Sequence, residues 1–278
     1  MSAPAGVASN PITMRRVVFG VALAVVGLAC VVVPWAFYLL ILAIGLVSLY
    51  ELNALCVIKG QPLVYPVAML GVAGYIVLAA FDLLHRWEGV LLAGIVIAAF
   101  WIGMYGEQQG YFARTAYTLL AVLYIGKLLT YFVFIRQVPG VGAWWTVFAI
   151  VLIALTDTFG MVVGTLLGRH PLTKISPKKT VEGSMGSLVI VVVFAIAATT
   201  FPPLHFTWWQ GAILGAFTCV AAQAGDIVES ALKRDAGVKD TGTVMQGHGG
   251  VLDRFDSYLF GGMTYFATLH LLGIVAVQ

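Results

Sequence analysis

The chain has 278 residues, 61% hydrophobic and 10% charged, with 15 Lys and Arg against 12 Asp and Glu for a net charge of +3. That charged share lies far below the roughly 25% of soluble domains. With a mean hydropathy of +0.98, it excludes an ordinary soluble domain and predicts an all-α, polytopic integral membrane protein. The small net charge, with aromatic residues spread through apolar runs rather than among basic ones, excludes a nucleic-acid partner.

The N-terminal MSAPAGVASNPITMRR is short and polar, and the apolar run after Arg15 and Arg16 is long. It reads as a first transmembrane helix rather than a cleaved signal peptide. About 20 apolar residues cross a bilayer as a helix, which predicts about nine spans. They are Val17 to Val33, Trp35 to Val57, Val64 to Leu84, Gly89 to Met104, Ala113 to Ile135, Ala143 to Leu167, Met185 to Thr200, Trp208 to Leu232 and Phe255 to Val277. Pro34 breaks the first run into a tight hairpin. Cys30, Cys56 and Cys219 sit in apolar runs without metal-ligand spacing and read as small core residues.

The Lys and Arg residues set the orientation. With the N-terminus cytoplasmic, twelve of the 15 lie inside, only Arg86 and Arg136 lie outside, and Lys127 falls within a span. The C-terminus then faces outward. The chain divides into N-terminal spans, 1–142, and a catalytic membrane region, 143–278, whose loops 168–184 and 233–254 are both cytoplasmic.

Six of the 12 acidic residues lie between Gly225 and Asp256: Asp226, Glu229, Asp235, Asp240, Asp253 and Asp256. Lys233, Arg234, Lys239, Arg254 and His248 are set among them. Charge beside a span is costly and marks a site. Asp226, Glu229 and Lys233 fall at i, i+3 and i+7 on one helix face, with Ser230 and Arg234 on the neighbouring row. Asp253 and Asp256, three apart, begin the last span. Mg²⁺ takes oxygen ligands, usually one or two carboxylates with substrate phosphates. Asp226 and Asp253 are therefore the expected metal pair, with Asp256 in support. The alternative is interhelical salt bridging.

Gly247, Gly249 and Gly250 flank His248; a phosphate cradle or a plain turn accounts for them. His248 is a phosphate donor, a proton relay or a structural loop residue. In the earlier loop, Ser176 and Pro177 read as an N-cap and first helical position, with Lys178 and Lys179 making an anion site there. Lysines that only set topology are the alternative, although such a signal has no need of Glu182. Asp157 lies inside the sixth span and reads as site-lining, with Lys127 either its partner or snorkelling. Gly160, Gly164 and Gly168 suit close helix packing. Glu51, Asp82 and His270 read as structural.

The run Ser230-x-Leu232-Lys233-Arg234, Lys239-Asp240, His248-Gly249-Gly250, Asp253-Arg254-Phe255-Asp256 resembles the signature of phosphatidate cytidylyltransferases, the CDP-diacylglycerol synthases. Ser176 to Gly183 resembles that family's second conserved stretch, and Asp157 with Gly164 its membrane-embedded acidic helix. The match covers roughly 157–256; the N-terminal half resembles the family only in hydropathy. Met245 and Gln246 depart from the usual Leu-like and small residues before GHGG.

The resemblance implies that CTP and phosphatidic acid give CDP-diacylglycerol and pyrophosphate, with Mg²⁺ and room for a second cation. Lys233, Arg234, Lys239, Asp240, His248 and Arg254 then belong to the catalytic set. Asp157, Ser176, Lys178, Lys179, Thr180, Glu182, Ser230, Gly249 and Gly250 contact substrates, and Asp226, Asp253 and Asp256 hold metal. Membrane lipids are the surroundings, and a homodimer is the implied assembly. Two other classes fit less well: a CTP-dependent lipid kinase, and an anionic-metabolite transporter, for which the chain lacks an internal repeat.

Overall fold

Inside a bilayer every backbone N–H and C=O must find a partner within the protein, so long apolar runs can only be helices or closed barrels. The computed structural model describes residues 25–105, 109–242 and 249–275. They form an all-α membrane protein, with no strand among the described residues. After helical residues 25–32 (α1) come α2 (Pro34–Ile58), α3 (Tyr65–Ala80), α4 (Leu84–Gly103) and α5 (Tyr111–Ala121). A π-helical turn, Val122–Lys127, joins α5 to α6 (Leu128–Gln137), and α7 (Gly142–Leu167), α8 (Val181–Ala198), α9 (Trp208–Asp235) and α10 (Leu252–Leu271) follow.

Among the described residues, six helices are long and apolar enough to cross a membrane: α2, α4, the continuous Tyr111–Gln137, α7, α8 and α9. α3 is apolar but only 16 residues long. α10 carries Asp253, Arg254 and Asp256 at its start and falls outside the six. The helices open earlier than hydropathy alone predicts: α4 starts at Leu84 rather than Gly89, and α8 at Val181 rather than Met185. Their first turns hold polar residues that hydropathy discards, namely His85, Arg86 and Glu88 in α4 and Glu182 in α8. Pro34 does break the first run, at N1 of α2 after the extended Val33.

α9 packs between α8 and α10, and α7 closes on α8. Small residues allow these approaches: a Cβ on Gly183 would lie 2.6 Å from the Gly160 carbonyl oxygen, and one on Gly225 2.6 Å from that of Asp256. The core is apolar and fully buried, for example Leu152, Ile153, Leu214 and Tyr265. Leu39, Leu70, Ile97, Leu166 and Val189 instead face outward, as residues against lipid do. Cys56 and Cys219 are buried and Cys30 partly so, all free thiols.

Polar ties mark the two ends of the bundle. At one end Lys59, after α2, pairs with Asp235 at the end of α9, and the hydrogen bond it donates to that carboxylate holds the Lys59 ammonium above the usual lysine range. At the other, Arg136 Nε donates to the Val31 carbonyl at 2.6 Å, satisfying the open end of α1. The 168–180 loop and residues 236–242 and 249–251 lie at the Lys59 end.

Candidate functional site

About one helical turn separates Asp226 from Glu229, and Glu229 from Lys233, along α9, so the three point to one side. The Lys233 ammonium pairs with Glu229, which has no solvent exposure, and reaches across to Asp253 Oδ1 of α10 at 2.7 Å. One buried cation thus joins two helices through two carboxylates. Asp226, one turn earlier, accepts from Ser230 Oγ at 3.4 Å and pairs with Lys179 at 2.5 Å. Its charge acts on Asp157 and Asp256, and that of Asp157 acts on Asp256. Asp157 accepts from Ser257 Oγ at 3.1 Å, and Asp256 from the Ser257 N–H at 2.7 Å. Lys127 does not pair with Asp157: at the end of the π turn it lies 2.5 Å from Glu88 of α4.

Asp253 organises the loop before α10. Its Oδ2 accepts the N–H of Gly250 at 2.7 Å and of Thr241 at 3.0 Å. An acid reaching back from the first helical turn in this way satisfies an orphan donor. Gly249 has φ +83, a backbone conformation that favours glycine, and a Cβ there would fall 2.7 Å from Asp253 Oδ2. His248 lies outside the described residues, as do Gly247, Met245 and Gln246.

The 168–180 loop folds as a narrow hairpin, with Pro171 bridged to Thr180 and the Leu172 N–H on the Lys179 carbonyl at 2.7 Å. Ser176 and Pro177 do not start a helix. They form a turn closed by the Lys179 N–H on the Ser176 carbonyl at 3.0 Å. The cap of α8 is Thr180, whose hydroxyl accepts the Gly183 N–H at 3.1 Å. The local S-P pattern mimics an N-cap, but the Ser176 N–H is held by Thr173 Oγ1 at 3.2 Å and the Lys179 carbonyl is paired with Leu172 across the hairpin. Glu182 turns away from the carboxylates and accepts the Arg169 N–H at 3.1 Å and His170 Nδ1 at 2.6 Å, pinning the loop.

A cavity of about 320 Å³ lies where these parts meet. Asp157 and Gly160 of α7, Ser176, Lys178, Lys179 and Thr180 of the hairpin, and Asp226 of α9 line it. Lys233, Asp253, Asp256 and the remaining described motif residues are not part of its lining. Arg234 folds back onto the Val238 carbonyl at 2.9 Å, while Lys239, Asp240 and Arg254 are exposed on the loop and the first turn of α10. Oxygen ligands alone, with lysine ammonium groups already resting on Asp226 and Asp253, fit a hard cation. Among the described residues no three acidic, His or Cys side chains converge to enclose a metal. The donor set therefore suits an ion completed by substrate phosphates. A larger cavity, about 560 Å³, lined by Asp82, Glu88 and Lys127, contains none of the motif residues.

Two contributions escape sequence reading. Gln223 of α9 lines the cavity and interlocks with Ser184 and Ser187 of α8, donating to Ser187 Oγ at 3.0 Å. It also donates to Cys219 Sγ, one turn earlier on α9, at 3.2 Å. Extending the i, i+3 row of the acidic face back from Asp226 finds it. Glu51, read as structural, is 1% exposed and bonded to the start of α10. No local pattern signals a contact 200 residues away.

The model of the cytidylyltransferase family matches residues 13–272. The phosphatidate cytidylyltransferase of Bacillus subtilis (strain 168) is 35% identical over 259 residues, 88% of this chain and 93% of that protein. That of Staphylococcus aureus (strain COL) is 30% identical over 240 residues, 84% and 87% of the two chains. That of Staphylococcus saprophyticus subsp. saprophyticus is 36% identical over 168 residues, 60% of this chain and 61% of that protein.

Proposed function

The chain belongs to the cytidylyltransferase family, and we propose that it is the membrane enzyme that joins CTP to phosphatidic acid, giving CDP-diacylglycerol and pyrophosphate for phospholipid synthesis. The observation that carries this reading is the cavity at which the basic hairpin and the acidic end of α9 meet, through Lys179 and Asp226.

A phosphate oxygen of phosphatidic acid attacks the α-phosphorus of CTP. The new P–O bond forms as the bond to the β-phosphate oxygen breaks, and pyrophosphate leaves with that electron pair. The lipid phosphate is itself the nucleophile, so the protein's task is positioning and charge neutralisation. Lys178 and Lys179 receive phosphate at the cavity, with Ser176 and Thr180 as hydroxyl partners. Lys233 holds Asp253 in place, and Arg234, Lys239 and Arg254 supply positive charge at the loop where pyrophosphate departs. Asp226 and Asp253, with Asp256 in support, would hold Mg²⁺, which when bound offsets the charge gathering on the phosphates; a second cation belongs to the same proposal. Asp157 shapes the floor of the cavity.

The site opens to the cytoplasmic side of a bacterial inner membrane, supported by the Lys and Arg bias and by both motif loops lying at one end of the bundle. A homodimer completes the proposal, to be read from mass in detergent. The deciding experiment gives the purified protein phosphatidic acid, Mg²⁺ and CTP labelled at the α-phosphate. Label in the lipid with equal pyrophosphate, lost with a chelator and restored by Mg²⁺, is expected. CDP with a phosphorylated alcohol acceptor would replace this reading with a lipid kinase. Transport of an anionic metabolite without turnover would replace it with a carrier.

A further inference from the structure

Glu51 lies within the chain's apolar first half, on α2, and is 1% exposed. A carboxylate so deeply buried requires partners. Its partners come from the other end of the sequence. Oε1 accepts the Val251 N–H at 2.9 Å; Oε2 accepts the Leu252 N–H at 2.8 Å and the Thr241 hydroxyl at 3.3 Å. The α10 N-terminus has no side-chain cap of its own. Glu51 therefore satisfies two of its orphan donors from another helix, with its negative charge at the positive end of the α10 dipole. The fit is close: a Cβ on Gly242 would lie 3.0 Å from Glu51 Oε1, and one on Gly250 would run into Glu51 Oε2 and the Thr241 hydroxyl.

Asp253 binds both Thr241 and Gly250, the residue before the N-cap of α10, accepting the N–H group of each. Thr241 and residues 250–252 are thus held by two carboxylates, one from α2 and one from the reaction site. We propose that Glu51 is a positioning residue for the cytidylyl transfer, fixing the start of α10 so that Asp253 meets Lys233 on the acidic face of α9. The proposal rests on the reaction assigned above.

Glu51→Gln keeps the size but replaces one accepting oxygen by a donor, which then confronts a backbone N–H. The expected result is folded protein with kcat down about 10- to 100-fold, a several-fold higher half-saturating Mg²⁺ and a KM for phosphatidic acid within about twofold of wild type. Hydrogen exchange should quicken at residues 249–253 while α7 and α8 keep their protection. Unchanged kcat and Mg²⁺ requirement in folded Glu51→Gln would overturn the proposal, as would uniformly faster exchange throughout the bundle. If Glu51→Gln is not recovered folded, Glu51→Asp, which keeps both oxygens one methylene short, carries the same expectations and the same refutation. Wild-type protein in parallel separates the two claims. Wild-type protein making no CDP-diacylglycerol would sink the reaction, and the exchange pattern alone would then decide whether Glu51 holds the start of α10.

Discussion

Lys233 shows how a residue can carry charge in this site without being available to a ligand. Its ammonium is shared by Glu229 and Asp253, and its side chain is 13% exposed. Removing one member of such a group leaves buried charge uncompensated. Lys233→Met is expected to cost about 3–5 kcal/mol of stability, seen as a lower unfolding temperature in detergent, along with lost turnover. Asp253→Asn is the sharper test of the metal pair. Asparagine retains one accepting oxygen for the loop, so the protein should fold, while turnover falls on the order of a thousandfold if a cation's several kcal/mol of charge stabilisation is lost. Near-normal turnover from folded Asp253→Asn would remove Asp253 from the metal pair.

Helix contacts decide whether these side chains meet at all. Asp226 follows Gly225, where α9 rests against the backbone of α10 at Asp256. Gly225→Ala inserts a methyl against a backbone carbonyl that has no freedom to swing away. Overpacking of this kind costs about 1–3 kcal/mol, and because it pushes the two acidic helices apart, activity should fall further than stability. Equal activity with unchanged unfolding temperature would mean that the α9–α10 spacing is slack. On the other wall, Gly183 lies against Gly160 and Gly164 of α7 beside the Thr180 cap, so a bulkier residue there should loosen the basic hairpin.

Across the described residues, several polar ties sit at the two ends, and apolar side chains such as Ile97 and Val189 face outward between them. Lys59 with Asp235, and Lys179 with Asp226, are at the reaction end; Arg136 with the end of α1 is at the other. In a cysteine-free background, Lys174→Cys and Lys239→Cys are expected to label with an impermeant thiol reagent from the same side of sealed vesicles, and Gly140→Cys from the opposite side. Labelling of positions 174 and 239 from opposite sides would contradict the shared end. Lys174 and Lys239 are both exposed, and Gly140 is an exposed turn glycine with φ +76, so access should follow sidedness rather than burial.

Much of this was open to reading in one dimension. Hydropathy is a sum over neighbours, so the apolar runs and the all-α class follow directly from it. The i, i+3 and i+7 spacing likewise places Asp226, Glu229 and Lys233 on one face, because a helix repeats every 3.6 residues. Local pattern failed where a distant partner overrode it. Ser176 and Pro177 look like a helix start, yet pairing with the far side of the hairpin moves the cap to Thr180. Lys127 could have met Asp157, but the π turn aims it at Glu88. Glu51 carries no motif, and its role at the start of α10 exists only once α2 and α10 are packed together. Composition and period are properties of the chain; which buried carboxylate satisfies which backbone donor is a property of the fold, since it depends on contacts that no stretch of sequence contains.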